Sequence, residues 1–403
     1  MEKFAFIIHP IDARRDVARH PKYRLLKYAP EGFVEWVIKH KSPMKASHIA
    51  GVRSITGAEA EGWFIVCPLT PRQLITLPID FVYQRLIECG KIAEDLGAKI
   101  IGLGAFTSIV GDGGVTIAKN LDIAVTTGNS YTVATALEAT LDGARRMEID
   151  IARAKVAVVG ATGSIGRVCA QVLGAEAASL AIIGRDQARL EEAADTFEPA
   201  TRAKTTVHTS IAEGLTDADI VVTVTSAVDV VIEPEHLKTG CVVTDVARPR
   251  DVSVRVARER DDVLVIEGGV VAVPGDVEFN FNFGFPPRMA YACMSETMML
   301  ALDGRYESFT LGKSVSREQV ETTQALAQKH GFKLAGYRSF EREVTHAEIE
   351  AIRARAAKRR GLLRGKASPL EASGAAGVGS ETPEGRRESR YERCVSVAPA
   401  PSP

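Results

Sequence analysis
Two side chains in the stretch RMAYACMSETMML, residues 288–300, could do covalent chemistry: the thiol of Cys293 and the carboxylate of Glu296. A thiolate attacks carbonyl carbons and carries the acyl group as a thioester, and a carboxylate one helical turn away raises the thiol pKa or carries a proton. Pro286 and Pro287 stop the preceding segment, and proline suits a first helical turn, so the spacing predicts a helix opening near Pro287. Cys293 then lies about two turns in, with Met289, Ala290, Glu296 and Thr297 on its side. The same residues also describe a buried structural thiol, because unpaired cysteine is among the most buried residue types. Cys67, in WFIVCPLTP, is a second candidate nucleophile. Cys89 on an amphipathic helix, Cys169 on a sheet-facing helix, Cys241 at a strand start and Cys394 near the end of the chain are poor ones.

A second constellation suits phosphate. VAVVGATGSIGRVCAQVL places Gly160, Gly163 and Gly166 just after a strand and at the opening of a helix. Such glycines let the backbone turn tightly and approach a pyrophosphate, and Thr162, Ser164 and Ile165 complete the loop whose helix N-terminus meets the charge. A βα turn with incidental glycines is the alternative. The spacing is GxxGxxG, and the acid expected about 20 residues later is replaced by Gly184-Arg185, with Asp186 one position late. A guanidinium pairs with a ribose 2′-phosphate where an acid would hold the hydroxyl, so Arg185 points to NADPH over NADH; a merely solvated arginine is the other reading. Thr225, Ser226, Gly268 and Gly269 fall at strand carboxyl ends, where sheets of this kind bind ligands.

A nicotinamide domain implies hydride transfer. Acting on an alcohol, it needs a proton relay such as Lys-Asp, Tyr-Lys or His, and none falls where a motif would place it. Acting on a thioester, it needs a thiolate.

These residues require elements to hold them. From Lys155 onward the apolar runs KVAVVGA, SLAIIGR, DIVVTVTS, CVVTDVA and VLVIEGG alternate with helical segments, the mark of strands buried on both faces of a parallel sheet. The expected fold is α/β: a doubly wound Rossmann domain over 152–275 and a smaller α/β substrate domain over 1–131, with AKIIGLGAF as one of its buried strands. Residues 132–151 read as a linker helix. Residues 276–342 read as helices carrying Cys293 back to the interdomain cleft, the second of them opening at Ser316 with Gln319 at capping-box spacing. Residues 343–403 read as a basic helix and a tail that, from Ala367, has too few apolar side chains to order itself.

Fifty Lys and Arg against 51 Asp and Glu give a net charge of −1, so the bulk electrostatics ask for neither nucleic acid nor an anionic membrane. Six cysteines without CxxC pairs or Cys/His clusters argue against a disulfide framework and a structural zinc. The apolar N-terminal stretch is too short for a signal segment, and no run reaches the ~18 apolar residues of a membrane span. A cytoplasmic protein is expected, with any membrane contact peripheral. The basic stretch HAEIEAIRARAAKRRGLLRGK could dock an acidic carrier protein or a lipid surface; a solvated face is the alternative.

Taken together, GAFTSI (104–109), TTGNSYT (126–132), VAVVGATGSIG (156–166), EGGVV (267–271), RMAYACMSETMML and KHGF (329–332) make the chain resemble the cyanobacterial long-chain acyl-[acyl-carrier-protein] reductases. The resemblance implies an NADPH-dependent enzyme that converts a fatty acyl thioester to a fatty aldehyde through an acyl-enzyme on Cys293, with Glu296 present three positions on. The oxyanion of that reaction needs donors, for which Asn129, Ser130 and Thr132 are candidates; a turn capping the linker helix explains them equally well. The implied partners are an acyl carrier protein or coenzyme A thioester and an aldehyde-consuming enzyme, and the resemblance allows a divalent cation such as Mg²⁺. The N-terminal segment matches loosely, and the part after Glu343 has no counterpart in the family. Domain order also resembles that of shikimate dehydrogenases, which keeps an alcohol or keto-acid oxidoreductase as an alternative. A non-catalytic NADPH-sensing protein is a third reading.

Overall fold
The computed structural model describes residues 1–17, 21–227, 230–247, 249–282 and 284–366. It opens with β1 (Glu2–Ile8), whose Phe4, Ala5, Phe6 and Ile7 are all buried, as in a strand covered on both faces. An excursion through α1 (Ala13–Val17) and α2 (Glu31–Lys39) precedes the hairpin of β2 (Met44–Arg53) and β3 (Glu59–Val66). Then follow α3 (Pro71–Thr76), α4 (Ile79–Asp95), β4 (Ile100–Gly102), α5 (Phe106–Ile109), α6 (Val115–Lys119) and β5 (Ala124–Thr126). The five strands pair in the order β2-β3-β1-β4-β5, all parallel except β2. In α4 the buried Val82, Leu86, Cys89 and Ala93 recur at helical period and cover one face of this sheet. Each large side chain of that stripe contributes about 1.5–3 kcal/mol by leaving water.

The linker is α7 (Asn129–Arg146), which starts three residues earlier than the sequence pattern predicts. Gly128, at φ 73°, lets the chain turn from β5 directly into the helix, so Asn129, Ser130 and Thr132 belong to its first turn. The helix packs on the second sheet and on the helices that follow that sheet in the chain, and is apolar or small along most of its circumference.

The second half is the doubly wound sheet. Its elements are β6 (Lys155–Val159), α8 (Ser164–Glu176), β7 (Ser179–Ile183), α9 (Gln187–Asp195), α10 (Pro199–Arg202), β8 (Thr205–His208), α11 (Ile211–Leu215), β9 (Ile220–Thr223), β10 (Val242–Asp245), α12 (Val254–Glu259) and β11 (Leu264–Glu267). The order β11-β10-β9-β6-β7-β8, parallel throughout, reverses direction between β6 and β9, and ligands of such sheets bind at that reversal.

Beyond β11 the chain forms β12 (Val270–Ala272), β13 (Met289–Tyr291), α13 (Ala292–Leu302), α14 (Arg317–His330), β14 (Lys333–Leu334) and, after a short hairpin, α15 (His346–Lys366). The predicted helix opening near Pro287 is corrected here. Met289–Tyr291 pair antiparallel with Val270–Ala272, and this pairing overrides the preference of proline for a first helical turn. The helix opens five residues later and Cys293 is its second residue. The capping box at Ser316 forms as expected, with Ser316 and Gln319 each accepting the other's backbone N–H.

The basic helix α15 is tied to its own chain. Ala356 and Ile349 are buried, Arg359 meets Asp262 at 2.8 Å, Arg355 reaches Asp261 at 3.3 Å and Arg353 reaches Glu148 at 2.7 Å. Part of the charge read as a solvated or docking face therefore serves intramolecular pairs. The tail from residue 367 lies outside the described residues. Among the described residues, no helix is long and apolar enough to cross a membrane.

Candidate active site
Helix α13 is seated by its first turn. Ala292 N–H donates to the Gly269 carbonyl at 2.7 Å, and Met294, Met298, Met299 and Leu302 bury the rest of the helix. Its packing on the first sheet is close enough that a Cβ at Gly102 would come within 2.1 Å of Thr297 Oγ1. Cys293 lies against two further glycines. A Cβ at Gly128 would overlap Cys293 Cβ at 2.3 Å, and one at Gly104 would stand 3.5 Å from Cys293 Sγ. Gly104 follows β4 and Gly128 follows β5, so the thiol sits at the carboxyl edge of the first sheet. At the same rim the non-glycine Ala105 adopts φ 47°, a conformation that costs energy and that folds keep where the surroundings demand it.

Among the described cysteines Cys293 alone is partly exposed. Burial pushes the Cys169 and Cys241 thiols up to about 12 and Cys89 well above its ordinary value. Cys67, the second candidate nucleophile, has no solvent exposure and is packed in the core of the first domain, where no thioester can reach it. Cys394 lies outside the described residues.

Glu296 is fully buried and accepts four hydrogen bonds. One oxygen takes Thr126 Oγ1 at 2.5 Å and Thr310 Oγ1 at 3.0 Å, and the other takes Ser130 Oγ at 2.7 Å and Tyr131 N–H at 2.8 Å. Two donors on each oxygen fill the lone-pair sites of a carboxylate. Burial pushes its pKa above the usual value, and the four donors work in the opposite direction. The group lies at the N-terminus of α7, where the unsatisfied N–H groups favour an anion. Glu296 thus locks α13 to β5, α7 and Thr310, itself a β-branched residue at φ 51°.

The candidate oxyanion donors separate. Ser130 donates to Glu296, and Thr132 Oγ1 donates to the Gly128 carbonyl at 2.8 Å, so both hydroxyl protons are already engaged. Asn129 reaches across the cleft, its Nδ2 donating to Ser164 Oγ at 3.3 Å. This contact joins the first turn of the linker helix to the glycine loop.

In that loop Gly160 is at φ 84°, and a Cβ there would come within 2.5 Å of the Val224 carbonyl. A Cβ on Gly166 would strike the Gly160 carbonyl at 2.3 Å. These two glycines fold the loop onto the sheet. Gly163 caps α8 and is exposed, while Thr162, Ser164 and Ile165 line the opening half-buried. A glycine loop of this kind, opening a helix beside β6 and β9, is the sort that takes a dinucleotide phosphate. Arg185 is exposed just past β7. Asp186 is spent as the cap of α9, accepting Arg189 N–H at 3.1 Å. Thr225 is held by a carboxylate that sequence reasoning does not single out: Asp251, fully buried, accepts Thr225 N–H at 2.9 Å, Thr225 Oγ1 at 2.6 Å and Thr223 Oγ1 at 2.5 Å. Ser226 is exposed beyond it. Gly268 and Gly269 are buried, Gly269 holding the start of α13. Among the described residues no group of three or more His, Cys, Asp and Glu side chains could hold a metal ion, so nothing supports the Mg²⁺ allowed above.

Residues 142–267 match the family model described as shikimate / quinate 5-dehydrogenase. The chain is 30% identical over 346 residues to the aminotransferase PigE of a Serratia species, an alignment covering 82% of this chain and 39% of that one. It is 28% identical over 344 residues to the long-chain acyl-[acyl-carrier-protein] reductase of Synechococcus elongatus, covering 80% of this chain and 95% of the relative. The chain therefore spans well under half of the first relative and nearly all of the second. Similar solved structures include glutamyl-tRNA reductase from Methanopyrus kandleri, at 15% identity and TM-score 0.28, covering 70% of this chain and 56% of that one. Another is a dipicolinate synthase from Bacillus halodurans, at 13% and 0.33, covering 66% and 89%. The molecule has the nucleotide-binding fold of an oxidoreductase.

Proposed function
We propose that this chain is an NADPH-dependent reductase that converts a long-chain fatty acyl thioester to the fatty aldehyde through an acyl-enzyme on Cys293. The observation that carries the reading is the position of a partly exposed thiol in the first turn of α13, one sheet edge away from a glycine loop to which Asn129 is hydrogen-bonded. Helix N-termini favour thiolates, and the main chain at Gly104 and Gly128 lies beside this one. The similarity to the Synechococcus reductase across 80% of the chain supports the substrate class.

Gly160, Gly163 and Gly166 would hold the pyrophosphate of NADPH, with Arg185 available to its 2′-phosphate, and the bound cofactor would supply the hydride that reduces the acyl group. The rest is work for the chain. Cys293 Sγ forms a bond to the thioester carbonyl carbon, and the bond to the carrier thiol breaks, the leaving thiolate taking up a proton. After reduction the carbon–Sγ bond breaks, the aldehyde leaves and Cys293 regains its thiolate. Glu296, its lone pairs filled, acts as a positioning residue that fixes the register of α13, and Asn129 aligns the thiol edge with the loop. Thr225, held by Asp251, and Ser226 would border the nicotinamide end. The thioester is carried by an acyl carrier protein or coenzyme A, and an aldehyde-consuming enzyme takes the product.

The test is to incubate the protein with a long-chain acyl thioester without NADPH and map the adduct. An acyl group on Cys293, absent from Cys293→Ala, is expected; aldehyde formation by Cys293→Ala at the wild-type rate would overturn the proposal. The match at 142–267 keeps an alcohol or keto-acid oxidoreductase as the second reading, and NADP-dependent oxidation of shikimate or quinate by Cys293→Ala would favour it.

A further inference from the structure
We infer that α2 and the short 3-10 helix Pro21–Tyr28 before it form a docking surface for an anionic lipid bilayer. Helix α2 is apolar on two sides. Its inner side buries Val34 and Ile38 against Ala13 of α1, with Val17, Leu26 and Ala29 packed around them. Its outer side presents Phe33, 51% exposed, and Trp36, 58% exposed, stacked on each other with ring centroids 6.2 Å apart. The preceding turn adds Leu25 at 81% and Tyr28 at 77%. So large an apolar outlay, concentrated on one small subdomain, marks an interaction surface.

The charge around it is predominantly positive, with Glu31 as the one exposed acid of α2. Residues 24–45 contain five Lys and Arg against two Asp and Glu, in a chain whose net charge is −1. Of the two acids, Glu35 is turned inward and accepts Thr70 Oγ1 at 2.7 Å. On α1, Arg14 and Arg15 are exposed, while Asp12 and Asp16 are engaged by backbone N–H groups at 2.8–3.0 Å. Lys27 lies over the Tyr28 ring at 4.6 Å, and Lys39 and Lys41 follow the aromatic pair. Trp and Tyr rings with cations on long stems are the combination that settles at a headgroup layer of negative potential. An acidic protein would instead present acceptors matched to fixed cations, whereas here the cations flank exposed aromatic rings.

Topology sets where this surface lies. The excursion leaves β1 at its carboxyl end and returns into β2 opposite Val66, the carboxyl end of β3. Both ends are therefore at the sheet edge where Gly104 and Gly128 meet Cys293. A bilayer bound there lies on the thiol side of the first domain. The inference needs neither Cys293 nor the cofactor, so it stands or falls apart from the acyl-enzyme reading.

The whole chain is sedimented with phosphatidylcholine vesicles and with vesicles of phosphatidylcholine and phosphatidylglycerol in equal parts. The chain has two tryptophans, so a Trp63→Phe background leaves Trp36 as the reporter. Binding to the anionic vesicles alone, weakened by salt and accompanied by a blue shift of Trp36 emission, is expected. Phe33→Ser/Trp36→Ser, which alters only exposed rings and is checked for folding by circular dichroism, should bind at least about tenfold more weakly, and Lys39→Glu/Lys41→Glu should bind weakly at low salt. Absence of vesicle binding, equal binding to both vesicle types, or wild-type binding by the ring variant overturns the inference. If vesicles are ignored and an acidic carrier protein is held through the same residues, the surface belongs to a protein and the lipid assignment falls.

Discussion
The carboxylate of Glu296 accepts the backbone N–H of Tyr131 at 2.8 Å, so an acid on the thiol-bearing helix caps, from across the structure, the helix that joins the two domains. One side chain thereby sets the register of Cys293 and the start of α7 together.

Glu296→Gln replaces one acceptor oxygen by a donor that must face Ser130, Tyr131, Thr126 or Thr310. At least one buried donor is left unpaired, and the variant should lose about 2–3 kcal/mol of stability in urea titrations. Alkylation of Cys293 by iodoacetamide should slow in parallel. A fully stable variant with unchanged Cys293 reactivity would remove Glu296 from the positioning role.

Gly128→Ala places a methyl group at a left-handed φ and into Cys293 Cβ at 2.3 Å. The helix start must shift, and misplacement of a nucleophile by about 1 Å costs on the order of a hundredfold in rate. The measurement is kcat for aldehyde formation beside thermal unfolding; a rate equal to wild type would mean that the thiol does not react from this position.

Arg185→Asp exchanges a cation for an anion at the exposed end of β7. The ratio of kcat/KM for NADPH over NADH should fall by about 10–100-fold, the loss of one charge-assisted contact. An unchanged ratio would assign the 2′-phosphate to another residue.

His330 gives a pH dependence of defined sign. It is almost fully buried, with Nδ1 3.0 Å from Ser54 Oγ and Nε2 3.2 Å from Asp303. Burial holds its pKa below the ordinary 6.5, with Asp303 opposing. Below pH 6.5 the unfolded chain binds a proton that the folded imidazole refuses, so this contribution to stability is complete above 6.5 and is lost as pH falls toward the folded pKa. Urea midpoints should drop across that window in the wild type, and His330→Asn should lack this part of the slope.

Legibility follows the reach of the interactions. The doubly wound sheet can be read from β-branched runs such as KVAVV and SLAII, because strands buried on both faces carry their signal in their own residues. The first sheet is readable only at β4. Strand β2 alternates few apolar residues among polar ones and depends on β3 for its register. The start of α13 departs from its local signal because three residues, Met289–Tyr291, take their conformation from a partner strand about 20 positions earlier. Glu296 is visible in the sequence as a neighbour of Cys293. Its four donors come from positions 126, 130, 131 and 310, and no local spacing announces them. Asp251 escapes notice for the same reason, since only the folded sheet brings it beneath Thr223 and Thr225.

The walls at Gly104 and Gly128 are main chain, which sets a limit on redesign. A pocket lined by side chains can be trimmed as well as filled. Beside Cys293 there is nothing at these two positions to trim: substitution can narrow the space around the sulfur but cannot widen it. If Cys293 carries the acyl group as proposed, any redesign to admit a bulkier one must therefore begin at positions other than these two.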